Sequence, residues 1–109
     1  MAVSNNNMQV ALTYLADDPH PRAIAKKALF DAEVHSKAEF ARVYLSASGA
    51  AETRKQVAFS STDYLEAKRA EGDAVLEYER HLDRKGAAQN ILDIWREENW
   101  NIRAAEKVR

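Results

Sequence analysis

The C-terminal stretch of this 109-residue chain, residues 63–109, decides its fold and reads DYLEAKRAEGDAVLEYERHLDRKGAAQNILDIWREENWNIRAAEKVR. It contains no proline, and its apolar residues recur at intervals typical of a helix. A single helix of about 45 residues would be roughly 68 Å long at 1.5 Å per residue. The pattern comprises Tyr64, Ala67, Ala74, Tyr78, Leu82, Ala88, Leu92, Trp95 and Ile102.

Two glycines are the points at which such a helix would break. A compact domain of about 100 residues has a radius of gyration near 13 Å, so either the protein is elongated or the helix is interrupted. Gly72 and Gly86 each cost about 1 kcal/mol relative to alanine inside a helix, and a break at Gly86 would give a three- or four-helix bundle. Neither glycine is flanked by proline or by a cluster of turn residues. We therefore predict a continuous helix.

A second helix is predicted upstream, from about Arg22 to Ser46, with Pro21 in its first turn. We expect it to pack along the long helix through a stripe of apolar residues at helical spacing. The stripe consists of Ile24, Ala28, Val34, Ala38, Ala41 and Leu45, widened by Phe30, Phe40 and Tyr44.

The remaining segments are short. Apolar residues between Met8 and Leu15 predict a first helix that ends before the prolines at 19 and 21, and the asparagines at 5–7 are interpreted as a frayed terminus. This divides the chain into residues 1–20 and a helical domain, 21–109.

Gly49 is a candidate left-handed C-cap, and a connecting helix is predicted from Glu52 to Phe59. A capping box for the long helix fits either Asp63 with Glu66 or Ser60 with Asp63.

Composition supports an all-α fold, an antiparallel helical hairpin or small bundle with a long C-terminal helix. Twenty alanines dominate the apolar residues, and alanine is the strongest helix former.

The absence of cysteine excludes disulfides, thiolate catalysis and iron–sulfur clusters, so nothing requires an oxidising compartment and we expect the cytoplasm. No signal peptide and no run of 18 apolar residues occurs, so neither secretion nor a membrane span is expected. A net charge of −1 argues against a strongly basic nucleic-acid binder.

No pattern of catalytic or metal-binding residues is recognisable. Glu77 and His81 lie four residues apart, but di-iron bundles use a Glu-x-x-His spacing and the zinc helix motif needs two histidines. An ordinary pair of neighbouring side chains on the helix surface, at positions i and i+4, accounts for this spacing. The acidic pairs lie among lysines and arginines, as on solvated helix faces, whereas catalytic carboxylates need an enclosed cleft. With no phosphate-binding loop and no nucleophile elbow, we predict that the protein is not an enzyme and has no cofactor.

The C-terminal segment holds the candidate interaction residues. Trp100 lies about 140° around the helix from Trp95, so one narrow stripe cannot bury both. Either Trp95 belongs to the core and Trp100 covers a neighbouring helix, or one tryptophan is the exposed anchor of a partner interface. Aromatic and cationic groups together also suit single-stranded nucleic acid, although the excess of positive charge is small. The candidates are Trp95, Arg96, Trp100, Arg103 and Lys107.

A set of short motifs is spread over about residues 38–106. It consists of Tyr44-Leu45, the Gly49 turn, Arg54-Lys55, Tyr64, Trp95-Arg96 and Arg103. In these motifs the sequence resembles a family of small phage and prophage proteins, mostly uncharacterised and often encoded in the early recombination and replication region near single-strand annealing proteins. The resemblance implies an intracellular phage accessory protein connected with DNA recombination, and it implies no catalytic residues.

These observations lead to one functional hypothesis and one alternative. A helix of about 45 residues cannot be covered by a partner helix of about 25, so its remainder must pack on the short first helix, on another copy of the chain or on a target protein. We expect a homodimer, and a phage or host protein as partner. The hypothesis is a non-enzymatic phage protein that acts by protein–protein interaction along the long helix, as a recombination accessory or as an inhibitor of a host system. The alternative is a weak nucleic-acid-binding accessory protein that uses the C-terminal Trp and Arg residues.

Overall fold

The computed structural model describes residues 3–108, the side chain of Val108 excepted, and its regular structure is entirely helical. The helices are α1 (Asn5–Ala16), α2 (Pro21–Ser46), α3 (Ala51–Ser60) and α4 (Thr62–Val108). The predicted all-α class and the long C-terminal helix are therefore confirmed. α4 passes through Gly72 and Gly86 without a break, because a single glycine costs less than the packing along the rest of the helix contributes.

The chain forms two compact units. Unit 1 consists of α1 with the C-terminal part of α4, and unit 2 covers residues 23–79, which hold most of α2, all of α3 and the N-terminal part of α4. This grouping differs from the predicted division into residues 1–20 and 21–109.

In unit 2, α2 runs antiparallel to α4. Near the end of α2, Arg42 donates to Asp63 at 2.6 Å, and further back Ser36, only 3% exposed, donates to Glu71 at 3.1 Å. Lys68 also donates to Glu71, at 2.7 Å. The Lys68 ammonium lowers the pKa of the Glu71 carboxyl below its ordinary value, and the Ser36 hydroxyl acts in the same direction, whereas desolvation opposes both.

Aromatic rings attach α3 to the other two helices of unit 2. The Phe40 ring centroid lies 4.8 Å from that of Phe59 and 5.5 Å from that of Tyr64, and the rings meet at inclined angles. Such edge-on arrangements place the positive ring edge against the negative face. Ala58 of α3 is completely buried as well. The small side chain of Ala58 and the large ring of Phe59 therefore hold α3 in place.

The predicted packing face of α2 is wrong. Of the expected residues, only Phe40 and Tyr44 are partly buried, and the others are exposed. The buried face lies on the opposite side of the helix, because α2 carries apolar residues at helical spacing on both sides and α4 packs on the side that also holds Ser36, the hydrogen-bond partner of Glu71. The inner face consists of Ala25, Leu29, Ala32, Ser36, Phe40 and Val43. We call the opposite side the outer stripe, which consists of Phe30, Val34, Ala38, Ala41 and Leu45.

Three local predictions at helix ends need correction. The N-cap of α4 is Ser61, whose Oγ accepts a hydrogen bond from the Tyr64 N–H at 3.2 Å, so neither predicted capping box forms. Gly49 has the expected positive φ, 107°, but it lies three residues beyond Ser46 and so is not the C-cap. Residues 5–7 are not frayed but form the first turn of α1, capped by Ser4, while Met1, Ala2 and Arg109 lie outside the described residues.

Other local predictions are confirmed. The bounds predicted for α2 and α3 agree with the structure to within a residue or two, and Pro21 opens α2. A proline is favourable there because the first N–H groups of a helix have no partner within the helix. Among the described helices, none has the length and apolar character needed to cross a membrane.

Candidate interaction surface

Packing of α1 on α4 determines which side of the C-terminal segment is buried. The two helices run antiparallel in unit 1: Tyr14 contacts His81, and at the other end the Val3 N–H donates to Glu98 Oε2 at 3.1 Å. Between these contacts lies a small core of Ala11, Tyr14, Ala88 and Leu92, bordered by Met8, Leu15 and Ile91.

Tyr14 contacts α4 through both its hydroxyl and its ring. Its hydroxyl lies 3.1 Å from the carbonyl oxygen of His81 and 3.0 Å from Nδ1 of the same residue. Because the hydroxyl has one proton, donation to the carbonyl leaves it to accept a hydrogen bond from Nδ1–H. The Arg84 guanidinium lies 4.3 Å from the centre of the Tyr14 ring, within the range of a cation–π interaction.

Trp95 lies on the α1 side of α4. It is half-buried, and its indole N–H donates to Asn5 Oδ1 at 3.3 Å. This arrangement follows from its position on the same helix face as Ala88 and Leu92. Trp95 therefore belongs to the contact between α1 and α4, as the first of the two sequence interpretations expected.

Trp100 lies on the other side of α4 and is 70% exposed. Within the described part of the chain it covers no neighbouring helix, so that half of the first interpretation is wrong. The other predicted candidates, Arg96, Arg103 and Lys107, are exposed as well. The successive spacings of four, three and four residues place these cations and Trp100 within an arc of about 60° on one helix face. We call this surface the basic-aromatic face; it consists of Arg96, Trp100, Arg103 and Lys107.

Positive charge predominates on the basic-aromatic face. Asp93 approaches Arg96 at 3.8 Å, and with both side chains about 70% exposed this pair contributes little to stability. Lys107 is in the last turn of α4, where a cation also interacts favourably with the helix dipole. Beside Arg96, a groove of about 330 Å³ is lined by Leu15, Gln89, Leu92, Asp93 and Arg96. The face thus offers cations, one large aromatic ring and an adjacent groove.

Glu77 and His81 were weighed above as metal ligands, and the structure places His81 in a contact with α1. His81 Nδ1 is engaged by the Tyr14 hydroxyl at 3.0 Å. Within residues 3–108, no group of three or more His, Asp or Glu side chains is arranged to hold a metal ion. The arrangement of Tyr14, His81 and Arg84 instead joins α1 to α4, and sequence spacing did not reveal it because Tyr14 lies 67 positions from His81.

Sequence reasoning assigned the outer stripe of α2 to the packing face and missed the inner face. The signal for the inner face was present, because its residues also recur at helical spacing, but one of them is a serine. A helix with two possible apolar faces cannot be oriented from its own sequence.

The fold and these surfaces define an all-helical protein with one basic-aromatic helix face and one bare apolar helix face. In comparisons with protein-family models, curated proteins and solved structures, nothing matches this chain.

Proposed function

We propose that this chain is a non-enzymatic accessory protein of a phage and that it acts by binding another protein through the C-terminal part of α4. The observation that supports this most is the 70% exposure of Trp100 among three cations on one helix face. Tryptophan and arginine are strongly enriched in binding hot spots. Covering the ring removes apolar surface from water, which favours a bound state.

The partner that suits this face is a protein with an acidic segment. Arg96, Arg103 and Lys107 would attract carboxylates, while Trp100 would supply the apolar contact. Such binding fits either an accessory to phage recombination or an inhibitor of a host system, in the host cytoplasm. The phage assignment rests on the sequence resemblance.

Capture from phage-infected and uninfected host lysates, with the purified chain as bait, tests the proposal. Trp100→Ala should abolish retention of the partner, because the truncation removes the central contact. Ile94→Ala is the matched control, since Ile94 is 43% exposed on α4 and lies away from the basic-aromatic face. Both variants should keep the helical circular dichroism of the parent chain, because exposed substitutions change stability by about 0.5 kcal/mol or less.

The contrast between the variants decides the outcome. A partner retained by the parent chain and by Ile94→Ala, but lost with Trp100→Ala, would support the proposal. A partner lost equally with both variants, or retained by both, would contradict it, as would the absence of any specific partner in either lysate.

The alternative is a weak nucleic-acid-binding accessory protein, favoured by the clustering of three cations around one stackable ring. Gel-shift titration with single-stranded and duplex DNA at low salt tests it. If three phosphates are neutralised on a single strand, log K should fall against log salt with a slope of about −2. Binding that is insensitive to Trp100→Ala, or that shows no salt dependence, excludes this use of the face.

A further inference from the structure

The outer stripe of α2 presents apolar surface at a place where no other helix of unit 2 packs. Phe30 is 63% exposed, Val34 50% and Leu45 75%, and Ala38 and Ala41 between them are exposed as well. Their spacings of four, four, three and four residues follow one side of the helix over about four turns. A helix that is apolar on two opposite sides is typically packed on both.

The sizes of these side chains are arranged in a self-complementary order. Large residues stand at both ends of the outer stripe, and the alanines lie in its middle. If a second α2 lies antiparallel, with a two-fold axis beside Ala38, then Phe30 of one copy faces Leu45 of the other and Val34 faces Ala41. Small residues at the crossing let the two helices approach closely, and large residues fill the space towards the ends. A parallel pair would instead place Phe30 against Phe30.

The charges along α2 favour the same arrangement. Its first turn contains no acidic residue, its last turn contains no basic residue, and Lys26 and Lys27 lie close to its N-terminus. This placement is opposite to the one that a helix dipole favours. In an antiparallel pair, Lys26 lies beside the C-terminal carbonyl end of the other α2, where positive charge is stabilising, whereas Lys27 is paired with Asp31 of its own helix.

The remaining charged groups beside the outer stripe do not oppose this pairing. Asp31 accepts from Lys27 at 2.9 Å within the same helix. Lys37 is exposed at the edge of the outer stripe; it lines the groove of unit 2 with Phe40 and Glu71, and its charge contributes to lowering the pKa of Glu71. Arg42 is held by Glu39 at 2.8 Å and by Asp63.

We infer that the outer stripe of α2 is a homodimer interface, in which the α2 helices of two copies of this chain pair antiparallel about a two-fold axis beside Ala38. Isologous pairing of this kind closes at two copies. The inference goes beyond the proposed function and uses a different unit, so it can fail while the α4 proposal stands.

Sedimentation equilibrium on the full chain is the first test. The mass should rise with concentration towards about twice 12.3 kDa. Leu45→Glu should weaken the association at least tenfold, because it places a carboxylate in the pair. Leu76→Glu is the matched control, since Leu76 is a 63% exposed leucine on α4, and it should leave the association unchanged.

Cysteine crosslinking is the second test, and it keeps the inference falsifiable if Leu45→Glu fails to fold. The chain has no cysteine, so each introduced thiol is unique. With a short bismaleimide, Ala38→Cys should form a linked dimer by itself. Phe30→Cys and Leu45→Cys should link to each other in a mixture but not when each is alone.

Several outcomes would overturn the inference. A chain that stays monomeric at hundreds of micromolar has no such dimer, and the outer stripe would then belong to a different partner. Equal weakening by Leu45→Glu and Leu76→Glu would place the interface elsewhere. Efficient self-linking of Phe30→Cys would indicate a parallel pair.

Discussion

At the scale of single residues, Tyr14 is the aromatic side chain in the buried core of unit 1. It is 6% exposed, contacts the ring of His20 edge-on at 4.8 Å and binds the backbone of α4 through its hydroxyl. The surrounding core adds two alanines and Leu92, and Met8, Leu15 and Ile91 are partly buried at its border. Tyr14 therefore connects α1 to α4 through both apolar packing and hydrogen bonds.

Removing the hydroxyl tests what its hydrogen bonds contribute. Tyr14→Phe should lower the free energy of unfolding by about 1 kcal/mol, because the hydrogen bonds of the hydroxyl with the His81 carbonyl and Nδ1 are lost in a partly buried site. Amide hydrogen exchange should become faster in α1 first. Tyr64→Phe, in unit 2, is the control and should leave the exchange of α1 unchanged. Unaltered exchange in α1 after Tyr14→Phe would show that the hydrogen bonds contribute little.

A second prediction at this scale concerns pH and Glu71. Lys68 and Ser36 lower the pKa of this carboxyl below its ordinary value of about 4.5. The stabilisation is therefore complete above pH 4.5 and is lost as the pH falls through the lower pKa of the folded state. Thermal unfolding between pH 7 and pH 2.5 should show this loss, and Glu71→Gln should flatten the curve in its acid part. The same acid loss in Glu71→Gln would assign the effect to other carboxyls.

At the scale of elements, α4 tolerates its two glycines rather than requiring them. A Cβ built at Gly72 or at Gly86 meets no atom within 4 Å. Gly49 differs, because its φ of 107° is one that residues with a side chain rarely adopt. The same residue type is thus conformationally necessary at one position and replaceable at two.

Alanine substitutions should separate these roles. Gly72→Ala and Gly86→Ala should each raise the free energy of unfolding by about 0.5–1 kcal/mol, because the unfolded chain loses entropy and helix propensity increases. Gly49→Ala should lower it, because alanine is strained at positive φ. Urea denaturation of the three variants measures all of these changes. A destabilising Gly86→Ala would mean that α4 bends or opens there in solution.

At the scale of the whole molecule, the two bare surfaces belong to different units. The basic-aromatic face lies on the C-terminal part of α4 in unit 1, and the outer stripe lies on α2 in unit 2. Mutations at sites that share no partners usually act additively. We therefore expect Leu45→Glu to leave partner capture through Trp100 intact, and Trp100→Ala to leave dimerisation intact. Loss of both activities in either single variant, measured by sedimentation and by capture, would show that the two surfaces depend on each other.

Composition and spacing sufficed to predict the helical class, the continuity of α4 and the bounds of α2 and α3. These properties are local: twenty alanines favour helix everywhere, and prolines and turn residues mark the ends. The side of α4 that is buried was also predictable from Tyr64 to Trp95, because α4 has one dominant apolar face there. Ile102 follows the same pattern yet is 57% exposed, since burial also requires a neighbouring helix.

The orientation of α2 and the separate positions of the two tryptophans depended on packing. α2 has two apolar faces with the same apolar residue types, and the one that also holds Ser36 is buried against α4, where Ser36 hydrogen-bonds to Glu71. Trp95 is engaged because α1 reaches it through Asn5, whereas Trp100 faces away from α1. Local spacing establishes which helices form, but which of their faces is covered follows from contacts between residues far apart in the chain.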